Sequence, residues 1–103
     1  MERIDKLREF LKANPDDSFL GHALALEYIK LNDLKLARET FEALLARDPG
    51  YVGSYYHLAK LLEGQGDQEG AILWYEKGLA EAQKAGDRHA YGELRAALDD
   101  LIY

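Results

Sequence analysis

The sequence contains no cysteine, and its 103 residues include only two prolines. Without cysteine the chain has neither a disulfide framework nor a thiolate nucleophile, which agrees with a reducing compartment. No apolar run approaches the ~20 residues that span a bilayer, and the first residues lack the apolar stretch of a signal peptide. These absences lead us to expect a cytoplasmic protein.

Basic residues are also in short supply. Lys and Arg number 13 against 19 Asp and Glu, so the formal net charge is −6 at pH 7. Nucleic acids and anionic membranes attract proteins that carry a surplus of Lys and Arg on one face. The charge balance therefore predicts that neither is a partner of this chain.

Carboxylate pairs and phosphate loops that would indicate catalysis are missing. Asp16-Asp17 and Asp99-Asp100 are adjacent in sequence, and neighbouring side chains on a helix or cap point apart. Neither pair can act as a general acid and base that face one substrate. The glycines show no phosphate-loop spacing. We expect no enzyme activity and no cofactor.

The three histidines do not predict a metal site. His22, His57 and His89 lie 35 and 32 residues apart, and none belongs to an HxxH, HxxxH or ExxH pair. With no cysteine available, the ligand number that zinc requires is hard to reach. We expect surface or groove histidines and no bound metal.

The sequence does contain a repeat with a period of 34 residues. Six positions of one segment return in the next: Leu24, Ala25, Asp33, Ala37, Phe41 and Leu45 correspond to Leu58, Ala59, Asp67, Ala71, Tyr75 and Leu79. A repeat of this period predicts a fold built by stacking copies of one small unit, and such folds work by offering a surface.

Each copy consists of two apolar stripes with helical spacing, separated by Asn32-Asp33 in one copy and by Gly66-Asp67 in the other. This pattern resembles the tetratricopeptide repeat (TPR) family, whose unit is a pair of helices, A and B. The resemblance implies an all-α protein, a right-handed α-α superhelix (alpha solenoid) of two TPR helix pairs with flanking N- and C-terminal helices. It implies one TPR domain over residues 1–103: an N-terminal helix at 2–14, repeat 1 at 18–51, repeat 2 at 52–85 and a C-terminal capping helix at 87–103.

Small and permissive residues are expected at the crossings and turns of this fold. Asn32 and Gly66 suit the left-handed conformation that ends a helix, and Asp33 and Asp67 can cap the helix that follows. Short side chains let helices A and B approach to about 8–10 Å. We expect four alanines at these crossings: Ala25, Ala37, Ala59 and Ala71.

Two glycines depart from the family pattern. Gly21 stands where the first repeat would carry a bulky aromatic residue, so that joint is either looser or filled from the N-terminal helix. Gly78 replaces a small alanine late in helix B, which costs roughly 1 kcal/mol of helix propensity unless another helix needs the space.

The flanking segments are predicted to cover the ends of the repeats, because terminal repeats leave apolar faces open. Each segment carries an apolar stripe with helical spacing. The N-terminal stripe is Ile4, Leu7, Phe10 and Leu11, and the C-terminal stripe is Tyr91, Leu94, Leu98 and Leu101.

The resemblance also implies where a partner binds. In the TPR family the A helices line a concave groove, and these positions in this chain are Phe19, His22, Leu26, Ile29, Lys30, Tyr56, His57, Lys60 and Glu63. The alternative is that Phe19, Leu26 and Ile29 pack against neighbouring helices. Some family members grip a carboxylate with Lys and Asn on the A helices, but His22, Leu26, His57 and Lys60 stand at those places, so such a clamp is not expected.

The function expected from the sequence is that of an interaction module or adaptor, with a peptide or protein segment bound in this groove. The alternative is a self-associating structural or assembly factor of co-chaperone type, with a possible homodimer formed by its terminal helices. An enzyme is disfavoured because the sequence predicts no convergent polar pocket.

Overall fold

The computed structural model describes residues 2–103, and over that range it contains six α-helices and no strand. The helices are α1 (Arg3–Ala13), α2 (Ser18–Lys30), α3 (Leu34–Arg47), α4 (Gly53–Gly64), α5 (Gln68–Ala85) and α6 (Arg88–Ile102). The prediction of an all-α protein with two helix pairs and two flanking helices is confirmed. None of these helices is both long and apolar enough to cross a membrane.

The chain divides into two compact units. The first ends at Asp48 and contains α1, α2 and α3, in which α2 packs against both α1 and α3. The second spans Pro49–Tyr103, where α5 packs against both α4 and α6, and α4 also contacts α6.

Aspartates begin four of the helices. Asp33 and Asp67 cap α3 and α5 as predicted, and Asp17 and Asp87 do the same for α2 and α6. In each case a carboxylate oxygen accepts a hydrogen bond from the backbone N–H three residues later, at distances from 2.9 to 3.3 Å. A carboxylate here satisfies a free amide and lies at the positive end of the helix dipole.

Left-handed residues end the helices at the predicted places. Asn32 has φ = 58° and Gly66 has φ = 82°, in the turns between helices A and B. Gly86, with φ = 68°, forms the C-cap of α5. Because Gln83 stands where the first repeat has Pro49, α5 runs on to Ala85 and is longer than α3.

The core of each unit follows the repeat pattern. The four alanines predicted at the crossings, Ala25, Ala37, Ala59 and Ala71, are fully buried. The corresponding aromatics Phe41 and Tyr75 are also fully buried, one in each unit. Small residues bring the helices together, and the aromatics fill the space beside the contact.

Gly21 lies in a joint that is partly filled from α3. The Cδ1 atom of Leu44 lies 3.2 Å from the position that a Cβ of Gly21 would take, so the entering side chain does not come from the N-terminal helix. A cavity of about 280 Å³ remains beside it, and Leu11 and Pro15 are among its lining residues. The joint is therefore partly filled by Leu44 of α3, and the rest of it stays open.

The flanking helices cover the repeats less completely than predicted. Leu7 of α1 and Leu94 and Leu98 of α6 are buried. Phe10, however, is 55% exposed and Tyr91 is 40% exposed. The prediction that these two aromatics belong to the buried stripes is wrong, because no helix among residues 2–103 lies over them.

We expect Gly78→Ala to destabilise the protein by about 1 to 3 kcal/mol, although alanine favours helix. A Cβ at position 78 would lie 2.7 Å from Cβ of Tyr55 and 3.0 Å from Cδ1 of Leu94. This glycine therefore serves the close packing of α5 against α4 and α6. The free energy of unfolding, measured with urea, tests the prediction.

Gly92→Ala is the matched control, because Gly92 lies inside α6 and a Cβ there would meet nothing within 4 Å. It should stabilise the protein by about 0.5 to 1 kcal/mol. Similar changes in stability for the two variants would contradict the packing explanation.

Candidate functional site

Five of the predicted groove residues lie on α2 in the first unit, and they differ in exposure. Phe19 is 69% exposed and Lys30 is exposed, whereas His22, Leu26 and Ile29 are half-buried. The exposure of Phe19 contradicts the alternative in which it packs against a neighbouring helix. The partial burial of Leu26 and Ile29 agrees with both packing and binding.

Charged and aromatic contacts fix the polar members of this α2 surface. The His22 ring meets the Phe41 ring edge-on, with 5.7 Å between the centroids. Glu27 Oε1 lies 3.3 Å from Nζ of Lys30 and accepts a hydrogen bond of 2.8 Å from Nε of Arg3. Glu27 thus holds Lys30 near α1, which sequence reasoning did not anticipate.

Arg8 is a second anchor between α1 and α2 that sequence reasoning missed. Its Nε and Nη2 atoms donate to the hydroxyl of the buried Tyr28 at 3.1 and 2.9 Å. The guanidinium carbon also lies 5.5 Å from the centre of the Tyr28 ring. The sequence did indicate that such a partner exists, because it places a tyrosine at a core position and a buried hydroxyl requires a hydrogen-bond partner.

The other four predicted residues form one connected surface on α4, which we call the α4 cluster: Tyr56, His57, Lys60 and Glu63. The Tyr56 and His57 rings meet edge-on with centroids 5.7 Å apart. Nζ of Lys60 lies 5.9 Å from the centre of the Tyr56 ring and 3.7 Å from Oε2 of Glu63. The cluster therefore presents an aromatic ring, a cation and a carboxylate side by side.

Tyr75 on α5 fixes one end of the α4 cluster. Its hydroxyl donates a hydrogen bond of 2.8 Å to Oε2 of Glu63. Burial raises the pKa of Tyr75 well above its usual value, and the hydrogen bond and the negative charges of Glu63 and Asp100 raise it further. The sequence signal was the change from Phe41 to Tyr75 between the repeats, which adds a hydroxyl that needs a partner.

His57 is linked electrostatically to α6. Burial lowers the pKa of His57 below its usual value, and the negative charge of Glu93 opposes that shift. Through Glu93 and Asp100, α6 therefore acts electrostatically on His57 of α4 and Tyr75 of α5.

The polar side chains around the start of α2 have structural partners. Asp17 caps α2, while Oδ1 of Asp16 lies 3.6 Å from Nε of Arg47. Ser18 Oγ donates to Oδ2 of Asp48 at 2.6 Å, joining the start of α2 to the end of α3. Within residues 2–103, no group of three or more His, Asp or Glu side chains is placed to hold a metal ion.

Comparison with known proteins now assigns the family. The sequence profile of the tetratricopeptide repeat matches residues 22–87, which include both helix pairs except the first residues of α2. This chain belongs to the tetratricopeptide repeat family. A TPR repeat-containing protein of Pseudomonas aeruginosa is 31% identical over 98 residues, covering 95% of this chain and 93% of that protein.

Two solved structures support the TPR assignment. The crystal structure of a tetratricopeptide repeat domain protein from Salinibacter ruber is 38% identical, covers 82% of this chain and 94% of its own, and has a TM-score of 0.78. The solution structure of a protein from Bordetella parapertussis is 33% identical, with coverages of 98% and 88% and a TM-score of 0.83. The TPR fold is a non-catalytic fold that generally mediates protein–protein interaction.

We expect Glu93→Gln to lower the pKa of His57 further, because Glu93 favours the charged imidazole. The His57 ring signal in an NMR titration measures this directly. Glu76→Gln, on the exposed side of α5, is the control and should leave the His57 titration unchanged. An equal response to both changes would show that the effect is one of overall charge.

The same shift predicts how His57 contributes to stability. In an unfolded chain an imidazole titrates near pH 6.5, so below that pH the unfolded state takes up a proton that the half-buried His57 resists. The His57 contribution to stability should therefore fall as the pH decreases below about 6.5. Urea unfolding at several pH values should show a weaker pH dependence in His57→Gln.

Proposed function

We propose that this TPR protein is an adaptor that binds a peptide or protein segment through its A helices, with the α4 cluster as a principal contact. The observation that carries the proposal is the connected set of Tyr56, Lys60 and Glu63. These side chains are partly or fully exposed, and each contacts the next. Tyrosine supplies large contact area with few rotatable bonds, which suits it to the centre of an interface.

Preorganisation supports binding at the α4 cluster. Glu63 is held by the Tyr75 hydroxyl, and Lys60 lies between Glu63 and the Tyr56 ring. Side chains that already occupy defined positions lose less conformational freedom when a partner binds. Lys60 can donate to a partner's main-chain carbonyl or carboxylate, while Glu63 keeps acceptor capacity for a main-chain N–H.

The α2 surface supplies the apolar part of the proposal in the first unit. Phe19 offers most of its ring to solvent, and Leu26 and Ile29 are partly open. Burying a phenylalanine side chain contributes about 1.5 to 3 kcal/mol. An apolar residue of a partner that covers Phe19 would increase the affinity of the complex, and the packing of α2 against its neighbours would not have to change.

We expect Tyr56→Ala/Lys60→Glu to lose its partner while keeping the helicity and melting temperature close to those of wild type. Affinity capture from the native cell extract, followed by mass spectrometry and calorimetric titration of the purified candidate, measures that loss. A partner bound by wild type at least tenfold more tightly than by the double variant would support the α4 cluster as the binding site.

Leu73→Ala/Lys77→Glu is the matched control, because it also removes one apolar side chain and reverses one lysine, both exposed on α5. It should bind the partner as wild type does. Equal losses in both double variants, or a fall in melting temperature that accounts for the loss, would contradict the proposed site. Recovery of this chain alone in every sample would favour self-association.

A further inference from the structure

The last helix repeats the buried pattern of α4 with an offset of 36 residues, but one side of it is open. Three pairs of equivalent positions are buried in both helices: Leu58 and Leu94, Leu61 and Ala97, Leu62 and Leu98. Two other pairs differ. Tyr55 and Ala59 are buried in α4, whereas their equivalents Tyr91 and Arg95 are exposed in α6.

The helix that buries Tyr55 is α5. The Tyr55 and Trp74 ring centroids are 6.0 Å apart, and Cβ of Tyr55 closely approaches the backbone at Gly78. In α6 the same side is formed by Arg88, Tyr91, Arg95 and Ile102, all exposed and spaced by three, four and seven residues. We call this stripe the open face of α6. In α4 the equivalent side is covered by α5.

A cavity beside the open face has room for an apolar side chain. It has a volume of about 370 Å³. Its lining includes Arg88, Tyr91 and Gly92 of α6, Ala82 of α5 and the capping residue Asp87. Tyr91, at the edge of this cavity, is 40% exposed. A partner's leucine or phenylalanine could enter here and bury the Tyr91 ring.

The charge of the open face favours an acidic partner. Arg88 has no ion pair among the described residues, and Nε of Arg95 lies 3.3 Å from Oδ1 of Asp99. Arg95 occupies the place of the small Ala59, so a docked helix meets a guanidinium there instead of a methyl group. Guanidinium groups bind carboxylates with two parallel hydrogen bonds, and an acidic side chain is thus the complement of this position.

A second copy of this chain fits the open face poorly. The corresponding helix would be α1, which ends at Ala13, 34 residues before the end of α3 at Arg47. On α1 the exposed Phe10 lies near Lys6 and near Arg3, and Arg3 is already paired with Glu27. Docking it on α6 would bring Lys6 against Arg88 and Arg95, and like charges at an interface oppose association.

We propose that the open face of α6 docks an acidic amphipathic helix of another protein. An apolar residue of that helix enters the cavity at Tyr91, and a carboxylate pairs with Arg95. This surface lies apart from the α4 cluster in sequence and composition, so the two proposals can fail separately.

The probe for this proposal is a fluorescein-labelled peptide with the sequence of α5, residues 68–85, kept helical by a lactam bridge between Lys77 and Glu81. Neither residue belongs to the buried stripe of α5. Two versions carry Ala71→Glu and Ala71→Lys, since the repeat pattern places Ala71 at the crossing with Ala59. Fluorescence anisotropy measures their binding to the full chain.

We expect the full chain to bind the Ala71→Glu peptide about tenfold more tightly than the Ala71→Lys peptide. Arg95→Glu should reverse that order, because it exchanges the charge that the peptide meets. Arg38→Glu is the matched control, since Arg38 pairs with Glu42 one helical turn later at 3.4 Å, as Arg95 pairs with Asp99 at 3.3 Å. It should leave the order unchanged.

Several outcomes would overturn the proposal. One is that neither peptide binds at millimolar protein, and a second is that both peptides bind equally well. A third is that Arg95→Glu leaves the order of the two affinities unaltered while circular dichroism shows the variant folded. Sedimentation of wild type as a dimer that Arg95→Glu dissociates would assign the open face to a second copy instead. Loss of peptide binding in Tyr56→Ala/Lys60→Glu would assign the peptide to the α4 cluster.

Discussion

Close approach of the paired helices is the constraint on which the rest of this structure depends. Ala25 and Ala37 in one unit, and Ala59 and Ala71 in the other, are fully buried and leave room for neighbouring large side chains. Gly78 extends the same principle to α5, which packs against a helix on each side. Because interiors are densely packed, a larger residue at these positions would force the neighbouring side chains or helices to shift.

The sequence predicted the parts of the fold that local chemistry determines. The turns at Asn32 and Gly66 need positive φ, and the aspartates that follow them supply oxygen atoms to free amides. Such requirements involve residues only a few positions apart, so they can be recognised without knowledge of tertiary contacts. The same holds for the buried stripes, whose spacing reflects the helical period.

The parts that the sequence did not predict depend on distant partners. An apolar stripe indicates that a helix has a neighbour but does not give the number of neighbours, and for this reason Phe10 and Tyr91 were wrongly expected to be buried. The bonds from Arg8 to Tyr28 and from Tyr75 to Glu63 join residues 20 and 12 positions apart on different helices. A polar atom at a core position signals that a partner exists without identifying it.

The hydroxyl of Tyr75 connects the core of the second unit to its proposed binding surface. Phe41, at the equivalent place in the first unit, fills similar space without a polar atom, so packing alone does not require a tyrosine. The hydroxyl holds Glu63, and Glu63 in turn lies close to Lys60. Removing that hydroxyl would leave the ring in the core but release one end of the α4 cluster. Binding would then weaken through lost preorganisation, while the fold would keep its packing.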